Sequence, residues 1–209
     1  MIDRNTNVQI TDEALAIAKP MLGAGVGKYK TIVIDPPWAI GNFANTGRKG
    51  HKIKPMSDNY KTMSFDEIKH LPIKSISDEN AFIFLWTTHT FLPKSFDFLK
   101  EWGFKYHLTM TWDKGRGLTH FGFHRKTEFV LFGYNGKLNI DVTGKSIHTV
   151  LYEYNKGHSI KPNIFYDEIE RKFPYPRLDM FARREREGWD VFGDEVENSI
   201  ELNKDNTCH

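Results

Sequence analysis

The sequence predicts an α/β fold with a largely parallel sheet. Three observations carry this expectation. Short runs rich in Ile, Val, Phe and Trp recur along the chain, segments of helical periodicity fall between several of them, and the run AFIFLWT at 81–87 is continuously apolar over the length of a strand.

Taken in order, Thr11 can cap a short helix through Ala18, with Asp12 and Glu13 in its first turn and Pro20 ending it. The glycines of LGAGVGKYK suggest a phosphate loop, but Leu22 and Tyr29 stand where such a loop needs Gly and Ser or Thr. They also precede a strand where a dinucleotide fingerprint follows one. A connecting loop is the consistent reading. TIVI at 31–34 is the first strand, and the polar, basic segment Gly41 to Asp58 is a long surface loop. Ser64 and Glu67 have capping-box spacing and start a helix ending near His70, before Pro72. After the strand at 81–87, Pro93 to Trp102 is an amphipathic helix closed by Gly103. Tyr106 to Trp112 and Glu128 to Phe132 are strands separated by a basic, glycine-containing connection, Asp113 to Lys126. His148 to Tyr154 is a further strand. Lys161 to Lys172 is a helix with Ile164, Phe165, Ile169 and Phe173 on one side; Leu178 to Phe181 and Trp189 to Phe192 are the last strands.

The 209 residues, 39% hydrophobic and 27% charged, suit one domain over 1–209, with an N-terminal helix and loop at 1–27 and a polar, flexible tail at 197–209. Lys and Arg number 29 against 27 Asp and Glu, so net charge alone is too small to establish a polyanionic partner, and the distribution of the charges matters more. The single cysteine, Cys208, excludes an intramolecular disulfide and fits a reducing compartment. The N-terminus has no apolar signal core, and no run approaches the roughly 20 apolar residues of a membrane span. A cytoplasmic protein with no membrane partner is expected.

The most informative stretch is TIVIDPPWAI. Asp35 ends a strand, where ligands of open α/β sheets gather. Pro36 and Pro37 have no N–H, so their surroundings are rich in acceptors: two carbonyls and the Asp35 carboxylate. Such a cluster suits an uncharged group with two donor hydrogens, and Trp38 adds a flat surface for a planar ring. The exocyclic amine of a nucleic-acid base has this character. Holding both hydrogens on acceptors brings its nitrogen nearer tetrahedral geometry, with the lone pair aimed at an electrophile such as a methyl group on a sulfonium. The bland alternative is an Asp that caps a turn while Pro-Pro ends a strand.

With IDPPW at 34–38, NYKTMSFDEI at 59–68, FIFLWTT at 82–88, TWDK at 111–114, HSIKP at 158–162 and LDMFARREREGWDVFGDE at 178–195, the chain resembles the DPPW-type adenine-N6 methyltransferases. That family includes the catalytic subunit of the eukaryotic messenger-RNA adenosine methyltransferase and many bacterial and phage DNA methyltransferases. The likeness runs from about Tyr29 to Glu195. It implies a Rossmann-like methyltransferase fold with permuted motif order, S-adenosylmethionine as cofactor, and a bacterial or phage origin. It also implies a catalytic role for Asp35, Pro36, Pro37 and Trp38, with Asp35 contacting the cofactor too. Ser159 and Lys161 match positions near the cofactor's carboxylate. Phe181, Arg183, Glu185, Arg186, Asp194 and Glu195 match the stretch around its adenosine, although Glu185 and Arg186 stand where the family varies.

Nucleic acid would be held by two basic stretches: Arg48, Lys49, Lys52 and Lys54 with Tyr60 after them, and Lys114, Arg116, Arg125 and Lys126. The target base must be flipped out or single-stranded to reach a pocket. His120 and His124 would need a helix to share a metal, and Gly122 between them opposes one, so no metal is expected. DNA is the expected substrate. The alternatives are RNA adenine-N6 or cytosine-N4 methylation, or a non-catalytic nucleic-acid-binding subunit. Either a homodimer or a heterodimer is compatible with the sequence.

Overall fold

The computed structural model describes residues 29–38, 62–120, 122–140, 143–154 and 160–198. The expected helix at 11–18, the loop at 41–58 and the end of the tail lie outside these residues.

β1 (Tyr29–Ile34) and β2 (Ser77–Thr87) are parallel neighbours, with Ile32 opposite Ile83 and Ile34 opposite Leu85. Between them run α1 (Phe65–Lys69) and the four-residue α2 (Ile73–Ile76). The Ser64–Glu67 capping box is formed in both directions, satisfying two N-terminal donors of α1. α2, not foreseen, is one turn that buries Ile73 just after Pro72. α3 (Leu92–Glu101) follows β2 and turns Phe98 and Leu99 inward, matching the expected amphipathic helix.

β3 (Lys105–His120) and β4 (Phe123–Tyr134) differ from expectation in length. The stretch from Asp113 to Lys126 is not an open connection but the outer half of an antiparallel hairpin, with Asp113 opposite Thr127 and Leu118 opposite Arg125. The pairing is interrupted between Asp113 and Leu118, where Gly115 and Gly117 fall. A Cβ on Gly117 would run into the Arg125 backbone carbonyl, so close strand approach requires glycine there.

β5 (Val150–Tyr152), α4 (Asn163–Lys172), β6 (Arg177–Met180) and β7 (Asp190–Phe192) complete the order. The seven strands form one sheet in the order β5-β3-β4-β2-β1-β6-β7. Pairing is parallel except where β4 meets β2 and β3.

Two apolar clusters, one per face, explain why the central strands carry no polar alternation. Ile32, Ile34, Ile83 and Leu85 face α1–α3 with Phe98 and Leu99. Val33, Phe84, Trp86 and Val130 point the other way, toward Phe165 and Ile169 of α4. Each fully buried side chain of this size stabilises the fold by about 1.5–3 kcal/mol before entropy is counted. Both faces are thus committed, and chemistry is left to the strand ends. No helix among the described residues is long and apolar enough to cross a membrane.

Candidate active site

β1 lies between β2 and β6, whose connections to it leave on opposite sides, and at the carboxyl end of such a strand an open α/β sheet leaves a crevice. Asp35 leaves β1 with its backbone N–H still bonded to Met180 O of β6 at 3.2 Å. Its carboxylate therefore starts from a fixed point.

The two prolines do remove donors, but their carbonyls are not idle. Trp38 N–H donates to Pro36 O at 2.8 Å, and Met63 N–H donates to Pro37 O at 2.8 Å. Each carbonyl keeps one lone pair, so the acceptor cluster narrows to the Asp35 carboxylate and the outward side of these oxygens. Trp38 departs from expectation more clearly. Its ring is 7% exposed, stacks on Phe91 at 4.9 Å and 10°, and lies 5.9 Å from Phe98. In this arrangement it anchors the DPPW turn to α3 rather than presenting a face to a base. The reason is packing: an indole between two phenyl rings removes more apolar surface from water than one at the rim of a polar crevice.

The centre of the site is a chain of alternating charges. Lys161 Nζ, just before α4, lies 2.9 Å from Asp35 Oδ2 and 3.0 Å from Glu128 Oε2, and it sits 4.9 Å above the Trp86 ring. Lys114 Nζ lies 3.1 Å from the other Glu128 oxygen. Burial pushes the Asp35 carboxyl up, with Lys161 opposing and the Glu128 charge adding to the rise. Burial also acts to raise Glu128, but Lys161 and Lys114 together hold it below the usual carboxylate range. For Lys161 burial acts to lower the pKa, and the two carboxylates outweigh it, so the group stays a cation. Glu128 escaped the sequence reading because it sits inside a strand, and only the β2–β4 pairing brings it to the end of β1.

Beside Asp35, Tyr166 Oη donates to Asp179 Oδ2 at 2.8 Å. Burial pushes the Asp179 carboxyl up to about 7; the tyrosine hydrogen bond opposes this and the Asp35 charge adds to it. These groups, with Phe181, Arg183 and Arg184, line a pocket of about 70 Å³. Phe181 adopts φ 63°, a left-handed conformation that a bulky side chain rarely takes. It ends β6 one residue earlier than expected and turns the chain around the pocket. Such conformations cost about 1–3 kcal/mol and cluster at ligand sites.

The remaining candidates divide. Arg183 lines the pocket and pairs with Glu195 at 2.8 Å. Arg186 does not line it: the guanidinium is clamped to Glu170 and Asp167 of α4, so it ties the loop to the helix. Glu185 and Asp194 are exposed and also lie off the pocket. Lys114 and Lys126 are each engaged within the protein, by Glu128 and Asp113, whereas Arg116 and Arg125 stand exposed on the hairpin. Ser159, Arg48, Lys49, Lys52, Lys54 and Tyr60 fall outside the described residues. Among the described residues no group of three or more His, Cys, Asp or Glu is placed to hold a metal.

The donor set suits an amino-acid-bearing nucleoside: a fixed ammonium for a carboxylate, carboxylates for an ammonium or ribose, and an aromatic side chain at the rim.

Comparison with known proteins gives four findings. A family model described as MT-A70 matches residues 29–195. The type II methyltransferase M.MunI of a Mycoplasma species is 30% identical over 95% of this chain and 89% of its own length. The human N(6)-adenosine-methyltransferase catalytic subunit METTL3 is 26% identical over 86% of this chain, which spans only 30% of that protein. A non-catalytic subunit from Arabidopsis thaliana, MTB, is 29% identical over 58% of this chain and 16% of its own.

Proposed function

The chain belongs to the MT-A70 family of adenine-N6 methyltransferases, and from that premise we propose that it moves the methyl group of S-adenosylmethionine to the N6 amine of adenine in DNA. The observation that carries this reading is the Asp35 carboxylate at the carboxyl end of β1, oriented by Lys161 beside a pocket whose donors suit the cofactor. DNA is favoured over RNA by the near end-to-end likeness to a type II methyltransferase, against partial likeness to much longer eukaryotic proteins.

When bound, S-adenosylmethionine supplies a methyl group made electrophilic by a positive sulfur. Lys161 and Arg183 would hold its carboxylate and neighbouring groups, and Phe181 its ring. The protein's own work is positioning. Asp35 and the outward lone pair of Pro36 O accept the two amine hydrogens, which localises the nitrogen lone pair and aims it. As nitrogen gains its new bond it becomes cationic, and the adjacent carboxylate stabilises that charge. Asp35, whose affinity for protons burial has raised, is then placed to take the departing proton. Lys161 keeps this carboxylate from rotating away, and Glu128 keeps Lys161 in place.

The test is incubation with methyl-labelled cofactor and separate DNA and RNA pools, followed by nucleoside separation. Label in N6-methyldeoxyadenosine is expected. Label only in an RNA nucleoside or in N4-methylcytosine would redirect the assignment, and none at all would leave a binding subunit.

A further inference from the structure

We propose that the outer β3–β4 hairpin is a wedge that enters duplex DNA beside the target base, with Phe123 as its intercalating side chain; this rests on the DNA reading above. β4 runs antiparallel to β2, with Phe129 opposite Thr87, the last residue of β2. Residues 123–128 therefore project beyond the edge of the sheet on which Asp35 lies. Glu128 at the base of this projection touches Lys161, which holds Asp35. Phe123 is five residues further out, about 17 Å at the rise of an antiparallel strand. That separation leaves room for a flipped nucleotide's sugar and phosphate between the pocket and the parent duplex.

The tip has the chemistry of a wedge. Among the described residues of the tip, Phe123 is 75% exposed and follows Gly122, whose φ is 79°. Arg116, His124 and Arg125 are exposed around it, giving an apolar point among groups that can meet phosphates.

A wedge must also be stiff, and the stem is braced. Asp113 pairs with Lys126 at 2.7 Å and accepts from the Gly115 N–H at 2.9 Å, and Trp112 Nε1 donates to Glu153 O at 2.8 Å. Tyr154 closes on Gly115, where a Cβ would collide with its ring. Tyr152 is opposite Asp113 on β5 and, with Tyr154, stays 73% exposed beside the stem, offering further aromatic surface. A stacked duplex keeps an adenine amine out of any pocket, so an apolar residue that fills the vacated stack would favour the extruded state.

The experiment compares Phe123→Ala with Phe123→Leu and wild type on a duplex and on the same strand alone. For Phe123→Ala, kcat/KM on the duplex is expected to fall at least about tenfold, the loss of one base–aromatic stack, with single-strand activity unchanged. Phe123→Leu, still an apolar wedge, should recover most of it, and the melting temperature should not move. Equal loss on both substrates, no loss on either, or wild-type activity confined to single strands would overturn the wedge. So would dissociation of a dimer by Phe123→Ala in sedimentation, which would make the tip a contact between copies. If wild type methylates adenine in neither DNA substrate, the DNA reading fails first and the wedge with it.

Discussion

The pocket and the hairpin use the same residue types, yet their ion pairs differ in kind. In the pocket, Lys161 is 11% exposed between Asp35 at 21% and Glu128 at 18%, so water does little to screen the group left behind when one partner is removed. On the hairpin, Asp113 is 18% exposed but its partner Lys126 is 44% exposed, so water screens this pair from the lysine side. The lesson is that the first set of charges is part of the architecture and orients a reacting group. The second shapes a surface that can be altered without consequence for the core.

The sharpest way to break this comparison is at Asp35. Asp35→Asn keeps the shape but removes the charge, and methyl transfer should fall about 1,000-fold while the far-UV spectrum is retained. Wild-type turnover would mean that the pocket orients nothing. The next largest effect belongs to Glu128. Glu128→Gln leaves Lys114 without its carboxylate and Lys161 on Asp35 alone, costing about 3 kcal/mol in urea unfolding. Asp113→Asn on the hairpin should leave the urea midpoint where it was. Equal shifts in the two variants would erase the distinction.

A pH measurement sharpens the same contrast. Asp179 has a folded pKa of about 7, above its unfolded value, so the folded chain holds the proton longer. Its contribution to stability is full below about pH 4 and is lost as pH rises through about 7. Subtracting the melting-temperature profile of Asp179→Asn from that of wild type isolates this slope, and parallel profiles would refute it. The smallest effect is expected at Arg116 and Arg125. Arg116→Ala or Arg125→Ala should leave single-turnover rates at saturating DNA intact while lowering the slope of log affinity against log salt by about 0.9 for each phosphate no longer neutralised.

Much of this was legible because local rules and tertiary context agree. The continuous apolar strands mark burial on both faces, and Ser64–Glu67 forms its capping box. DPPW stands at a strand end, where its carboxylate had to meet the crevice. The failures are equally specific. The sequence places Trp38 at a base, but residue type cannot tell an exposed stacking surface from a ring packed on Phe91. The Asp113 to Lys126 stretch has the glycines and charges of a loop, and its strand character comes from pairing with itself.

By itself, then, the sequence determined the alternation of strands and helices, the acid at the end of β1 and the family to which the chain belongs, because each depends on neighbours along the chain. Only the tertiary structure decided that Glu128 and Lys161, 33 residues apart, share a hydrogen bond, and that Asp179 meets Tyr166. It also sent Arg186 to α4, away from the pocket. Those outcomes depend on sheet order and register, where a shift of one residue turns a side chain to the opposite face, and no local pattern encodes that choice.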